Sequence, residues 1–294
     1  MTIFIGNNLT EKSPKVAIII VNWNRRDDTL ECLESLSSIN YGNYRIVLVD
    51  NGSDDGSIEA VRDEHPEVKI IEAGENLRFA GGNNLGLNAI SADDDDFYLL
   101  LNNDTTVEPD FLSHLVAAAA DSSIGIVGPK ILYHDRPDVI WFAGGIIKPA
   151  WGYVRHFGLR QPDDGSFDEP RWVSFLTGCC ILISKNVIFK VGLLDEGFYL
   201  YSEDADYCLR TAKTGFKLVY EPRSRIYHKL SRSSGGAYHP RKWLQRYRSL
   251  FRLVRKHTPP VTWPLFCLNL IWELISLPVN ALLQTGKLPP KAKN

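Results

Sequence analysis

Residues Val16–Val21 read VAIIIV and run directly into Asn22-Trp23-Asn24. A continuous apolar run of this length suits a strand buried on both faces, at the centre of a parallel sheet. Ligands of open α/β sheets bind outside the carboxyl ends of such strands, so the polar residues that end this one are candidates for function.

The pattern repeats downstream. A helical stretch over 28–38 carries Leu30, Leu33 and Leu36 toward the sheet, and Tyr44–Asp50 (YRIVLVD) gives a second strand. Helices near 57–63 and 82–90 then alternate with strands Val68–Glu72 and Phe97–Leu101, and Pro109 opens a helix to Ala120. Such alternation predicts a doubly wound α/β layer. Beyond it the segments become shorter and richer in Gly, Pro and aromatics, as in an α+β half built around the same sheet.

The 294 residues, 44% hydrophobic and 23% charged, fit one large globular domain with or without an appendage. Five cysteines form no CxxC pair, which points to a reducing compartment. The first residues, MTIFIGNNLTEKSPK, lack a basic start and a long apolar run, so residues 1–14 read as a loose tail and not as a secretory signal. Four acids at 93–96 read as a solvated loop.

Collected by strand end, the polar candidates are Asn22 and Asn24, then Asp50 in DNGSDDGS, then NLRFAGGNNLG at 76–86, then Asn102-Asn103-Asp104. Asp50 has a bland alternative as a turn carboxylate capping the next helix. In 76–86 the glycines would let backbone approach a ligand, and Arg78 could neutralise a diphosphate, although a structural turn is also open. The segment is not G-x-G-x-x-G directly after the first strand, and no G-x-x-x-x-G-K-[ST] occurs, which demotes Rossmann dehydrogenases and P-loop enzymes. Asp104 places a carboxylate where a hard divalent ion could bridge to phosphate. Glu203-Asp204 open a helix (EDADYCLRTAK), whose dipole would keep Asp204 ionised, as a general base requires; simple capping is the alternative. His228 follows the strand-like SRIY and, as a lone histidine, is more often structural than ligating.

Taken in order, VAIIIVNWNR, VDNGSDDGS, NLRFAGGNNLGL, LLNNDTTVEPDFL, FLTGCCILI, LLDEGFYLYSEDADYCLR and RIYH resemble the family 2 glycosyltransferases, especially bacterial rhamnosyltransferase-like members, over about residues 16–230. The resemblance implies a GT-A fold, Rossmann-like with a mostly parallel central sheet flanked by helices, over 15–237. Its nucleotide-binding half would cover about 15–130 and its acceptor half about 131–237. It implies inverting transfer from a nucleotide diphosphate sugar, dTDP- or UDP-linked, with L-rhamnose or a similar hexose expected. The acceptor would be a saccharide or lipid-linked saccharide of a bacterial surface polysaccharide. Asp50 would meet the nucleobase, with Asn22, Asn24, Asn76, Arg78, Gly81, Asn83 and Asn103 lining nucleotide and donor. Asp104 and His228 would hold Mn²⁺ or Mg²⁺, Asp204 would be the base, and Trp172, Thr177, Gly178 and Glu203 would lie where sugar and acceptor meet. Two departures stand out: the family's D-x-D is Asn102-Asn103-Asp104, and Arg78 occupies a position commonly glycine. The asparagines motivate the alternative, a non-catalytic glycan- or nucleotide-binding subunit.

Residues 238–294 predict an amphipathic helical extension. Arg241, Lys242, Arg246, Arg248, Arg252, Arg255 and Lys256 surround a face of Trp243, Tyr247, Leu250, Phe251 and Val254. This is the profile of a helix on anionic lipid, at the cytoplasmic face of the plasma membrane. The apolar run 261–283 is interrupted by Asn269, Glu273, Pro278 and Asn280, favouring an interfacial helix pair over a span. The alternative packs the tail on its own domain or on a second subunit in a homodimer. Without an accompanying binding module the basic stretch does not imply nucleic acid.

Overall fold

The computed structural model describes residues 13–90, 94–229 and 240–272. Its first half alternates β1 (Val16–Asn22), α1 (Arg26–Ser37), β2 (Tyr44–Asp50), α2 (Ser57–Glu64), β3 (Lys69–Glu72), α3 (Arg78–Ala89) and β4 (Phe97–Asn102). Then come β5 (Thr105–Val107), α4 (Phe111–Ala118), β6 (Ile124–Tyr133), β7 (Arg136–Phe142), β8 (Gly145–Lys148) and β9 (Tyr153–His156). The chain continues through β10 (Arg171–Val173), β11 (Cys180–Ser184), α5 (Lys185–Val191), α6 (Glu203–Lys213), β12 (Lys217–His228) and α7 (Pro240–His257).

The apolar run of β1 is buried as its composition predicts, and Leu33 and Leu36 of α1 are buried in the same core. Among the described residues the main sheet has strand order β10-β12-β6-β11-β4-β1-β2-β3, with β5 on β12 and β7 on β6. β3, β2, β1 and β4 are mutually parallel, whereas β11 runs antiparallel to β4 and β6. The chain steps outward from β1 to β2 and β3, then returns to place β4 on β1's other side. That reversal opens a crevice beyond the carboxyl ends of β1 and β4, where Asn22 and Asn102 lie.

Three expectations change. The stretch 76–83 is mostly helix: α3 begins at Arg78, four residues before the start expected near residue 82. A Cβ on Gly82 would stand 2.8 Å from Val21 Cγ1, and one on Gly86 2.7 Å from Ile19 Cγ2. These glycines therefore let α3 lie close on the sheet. The acidic patch is not simply solvated either. Asp95 is fully buried and accepts from the Arg45 guanidinium, Nε at 3.3 Å, while Asp96 accepts from the Lys15 backbone N–H at 2.7 Å. Asp93 lies outside the described residues.

The third change concerns the tail. Leu250, Leu253 and Val254 of α7 are buried in the main core, so its apolar stripe covers its own domain. Arg252 and Lys256 pair with Asp195 at 3.0 and 2.6 Å, and Lys256 also meets Asp206 at 2.8 Å. Those cations are thus engaged within the chain. Phe251, Leu268, Ile271 and Trp272 remain exposed. Among the described residues no helix is long and apolar enough to cross a membrane. The expected loose tail up to residue 12, the side chain of Trp243, and the second half of the interfacial pair lie outside the described residues.

Candidate active site

Asn22 and Asp50 are register partners at the ends of β1 and β2. The Asn22 amide donates to Asp50 Oδ1 at 3.0 Å, and Asp50 Oδ2 accepts from the Gly52 and Ser53 N–H groups at 3.1 and 2.9 Å. Asn22 Oδ1 accepts from Thr29 at 2.7 Å and from the Asn103 amide at 3.1 Å. Asn24, with φ of 60°, caps Asp54 N through its side chain at 2.9 Å. One polar network therefore fixes the three turns that follow β1, β2 and β4. Asp50 braces its own turn; the helix α2 is served by Asp55, which accepts from Ser57 N at 3.1 Å.

On the neighbouring face, Asn76 accepts from the Arg78 N–H at 2.8 Å, and the Arg78 guanidinium stacks 3.4 Å from the Tyr199 ring centroid. Asn83 points back along α3 to the Phe79 carbonyl at 2.8 Å, and Gly81 packs on Leu77. Both are buried.

Asp104, in the turn between β4 and β5, meets His228 at the end of β12, with Oδ1 3.1 Å from Nε2. The two are 124 residues apart and are joined because β5 pairs antiparallel with β12, setting Thr105 against His228. Burial opposes protonation of His228, but the adjacent Cys179 sulfur and Asp104 carboxylate outweigh it and raise its pKa. Its Nδ1 is buried without a partner. A carboxylate and an imidazole are too few for a dedicated metal cage, and among the described residues no third such ligand joins them. They do fit Mg²⁺ or Mn²⁺ of the kind completed by substrate phosphates.

A cavity of about 690 Å³ opens beside this pair. His228, Asn102, Thr177, Gly178, Glu203 and Asp204 are among its walls. Asp204 accepts from the Gly178 N–H at 3.1 Å and the Ala205 N–H at 2.8 Å. A Cβ on Gly178 would lie 2.6 Å from Phe79, so only glycine allows this close approach. Ser202 and Tyr201 precede α6 with φ of 69° and 67°, a left-handed kink that turns the helix start into the cavity.

The helix dipole does not win at Asp204. Burial raises its pKa above the usual carboxylate range, against the two N–H bonds. Burial and the charge of Asp204 push Glu203 up to about 8. Glu203 Oε2 is buried with no partner while Asp204 accepts two N–H bonds, an arrangement that favours the pair's proton on Glu203 and its charge on Asp204. Both Glu203 and Asp204 line the cavity.

Trp172 is the displaced residue. Its strand β10 pairs with the start of β12, Trp172 opposite Val219, nine residues or roughly 30 Å from His228. It is 60% exposed, stacked under Lys217, and absent from the cavity wall. Conversely, Trp141, Cys179 and Arg246 line the cavity although none was expected at the site. Cys179 lies within the FLTGCCILI motif, Arg246 reads as one cation of the basic amphipathic extension, and Trp141 carries no local signal.

The sequence model described as glycosyl transferase family 2 matches residues 17–192, more than half of the chain. The chain belongs to glycosyl transferase family 2. This family 2 glycosyltransferase is 29% identical over 230 residues to the N-acetylglucosaminyl-diphospho-decaprenol L-rhamnosyltransferase of Mycobacterium tuberculosis, covering 69% of this chain and 72% of that one. It is 26% identical over 204 residues to the low-salt glycan biosynthesis hexosyltransferase Agl10 of Haloferax volcanii, covering 69% and 63%. Against an uncharacterised protein y4gI of Sinorhizobium fredii, 28% identical, it spans 79% of its own length and about a quarter (26%) of the relative. Its GT-A fold is shared with the mannosyltransferase PcManGT of Pyrobaculum calidifontis, solved with GDP-Man and Mn²⁺, at TM-score 0.59 and 18% identity, covering 94% and 80%. GalNAc-T7, solved with UDP, GalNAc and Mn²⁺, superimposes at TM-score 0.66 and 18% identity over 83% of this chain and 48% of that one.

Proposed function

We propose that this glycosyltransferase inverts configuration at the anomeric carbon of a nucleotide diphosphate sugar, with Asp204 as general base. The observation that carries the reading is that Asp204 and His228 line one cavity, beyond the strand ends where the Asn22–Asp50 network lies. The acceptor oxygen attacks the anomeric carbon while the bond to the diphosphate breaks and its electron pair leaves with the phosphate. The acceptor proton passes to Asp204, which is held charged by the Gly178 and Ala205 N–H groups. When bound, a divalent cation such as Mn²⁺ or Mg²⁺ neutralises the charge developing on the leaving group, and Asp104 and His228 are the residues that would hold it. The β1, β2 and β4 turns would orient the nucleotide, with Asp50 and Asn103 part of their framework and Arg78 beside the diphosphate.

L-rhamnose or a similar hexose, on a dTDP or UDP carrier, is the donor best supported by the rhamnosyltransferase likeness. A similar enzyme of Shigella flexneri, 21% identical, is a dTDP-rhamnosyl transferase. We place the activity in synthesis of a surface polysaccharide, on a saccharide or lipid-linked acceptor, at the cytoplasmic membrane face. The exposed Phe251, Leu268, Ile271 and Trp272 beside Arg248 and Arg255 would rest on that surface. A screen of nucleotide sugars measuring nucleoside diphosphate release tests the reading. Release from a dTDP- or UDP-hexose in the presence of acceptor is expected; no release from any donor would support the non-catalytic alternative.

A further inference from the structure

The segment that carries Asp204 is not self-supporting. From Asp195 the chain passes the left-handed pair Tyr201 and Ser202 and then enters α6, with Asp204 in its first turn. Non-glycine residues with φ of 67° and 69° are strained and persist only where their surroundings hold them. No side chain caps the start of α6.

The hold comes from α7. Ser249, buried on that helix, donates to the Leu200 carbonyl at 2.7 Å, immediately ahead of the left-handed pair. Lys256 Nζ meets Asp195 Oδ2 at 2.6 Å and Asp206 Oδ1 at 2.8 Å, so a single ammonium ties the two ends of the segment together. Arg252 Nη2 donates to both oxygens of Asp195, at 3.0 and 3.1 Å, and His257 Nε2 lies 2.7 Å from Asp206 Oδ1. Ser249, Arg252 and Lys256 are spaced i, i+3, i+7, which sets them on one face of the helix. Asp206 is fully buried and Ser249 nearly so, which shields these contacts from water and salt. Neither Ser249 nor Lys256 lines the cavity.

We infer that α7 is a positioning strap for the general base: Ser249 and Lys256 hold the segment 195–206 so that the Asp204 carboxylate meets the acceptor hydroxyl, without touching substrate themselves. The inference rests on the transferase reading above and deepens it by naming the residues that aim the base. Its physical ground is reach. A general base must lie within hydrogen-bond distance of the proton it takes, and a displacement of about 1 Å costs roughly 100-fold in rate. The Gly178 N–H fixes one Asp204 oxygen at 3.1 Å, while the backbone that carries Asp204 is fixed by α7.

The test uses the full chain with the donor found by the screen. Ser249→Ala removes the hydroxyl and Ser249→Thr keeps it; Lys256→Met keeps the stem without the charge and Lys256→Arg keeps the charge. Val254→Ala loosens the same helix in the core, removes none of these polar contacts and serves as the control. Ser249→Ala and Lys256→Met should each lower kcat roughly 10- to 100-fold, with donor Kd by calorimetry within about twofold of wild type. Both should also raise amide hydrogen exchange over 198–205. Ser249→Thr and Lys256→Arg should recover most of the rate. Val254→Ala should lower Tm at least as much while its kcat, measured well below Tm, stays near wild type. Wild-type kcat in both Ser249→Ala and Lys256→Met overturns the strap, as does a loss that Val254→Ala shares at equal Tm, a loss that neither conservative variant recovers, or unchanged exchange. A wild type inactive with every donor sinks the transferase reading instead. Exchange then still decides the strap, which stands if 198–205 loosens in both variants and falls if it does not.

Discussion

At the residue scale the decisive pair is Glu203-Asp204. Asp204→Asn keeps shape but cannot take the acceptor proton, so kcat should fall roughly 10²- to 10⁴-fold while donor affinity by calorimetry changes little. Glu203→Gln should retain turnover, because Glu203 holds the shared proton and does not serve as the base. Near-normal rates in Asp204→Asn with a dead Glu203→Gln would reverse the assignment. Glu203 also predicts a stability effect. Its pKa rises from 4.5 unfolded to about 8 folded, so the folded state binds the extra proton between those values. That contribution is complete below about pH 4.5 and is lost as pH rises through about 8. Glu203→Gln should therefore raise Tm relative to wild type at pH 9 and change it little at pH 4.5; an equal shift at both would show that the carboxyl is not buried as described. The Asp104–His228 pair makes a third prediction. Chelator should abolish transfer, Mn²⁺ or Mg²⁺ should restore it, and His228→Ala should weaken the metal's apparent affinity; full turnover in excess EDTA would refute the role.

At the element scale, α3 shows how a motif that looks like a ligand loop can be a packing device. Gly86 lies where a Cβ would meet Ile19 Cγ2 at 2.7 Å and Val49 Cγ2 at 3.1 Å, and Ile19 is fully buried in β1. Alanine would gain about 1 kcal/mol in helix propensity. Overpacking costs about 1–3 kcal/mol, and Ile19 has no free space to yield into. Gly86→Ala should then destabilise by up to about 2 kcal/mol, read as a lower urea midpoint at unchanged m-value. A stabilised variant would mean that α3 stands further from the sheet.

At the scale of the whole molecule, α7 is joined to the catalytic unit through the core and through Asp195 and Asp206. Burial works against charge on Asp206, yet bonds from His257, Lys256 and Arg210 hold its pKa down to about 2. Ending the chain after His257 should leave a folded protein that moves from the membrane pellet to the soluble fraction, since Leu268, Ile271 and Trp272 are gone. Ending it at residue 239 should instead lower Tm sharply by uncovering the core around Leu250, Leu253 and Val254. Unchanged partitioning of the first truncation would assign the exposed apolar residues to a packing role.

The sequence by itself determined the alternating half. The run at 16–21, the strand at 44–50 and the leucines of α1 follow local periodicity, and a strand's polar end residue is fixed once the strand is known. Motif order also supplied Asp104, His228, Thr177, Gly178, Glu203 and Asp204, all of which the fold gathers at or beside one cavity. Only the tertiary structure decided the rest, because those properties depend on neighbours far away in the chain. Antiparallel register on β12 takes Trp172 away from His228, though both belong to the second half. Burial raises the pKa of Asp204 against the N–H bonds from Gly178 and Ala205, although a helix start alone would lower it. Arg246 looks like any other cation in a basic amphipathic helix until that helix packs on the domain, and packing then places it on the cavity wall while Arg252 and Lys256 are engaged by Asp195 and Asp206.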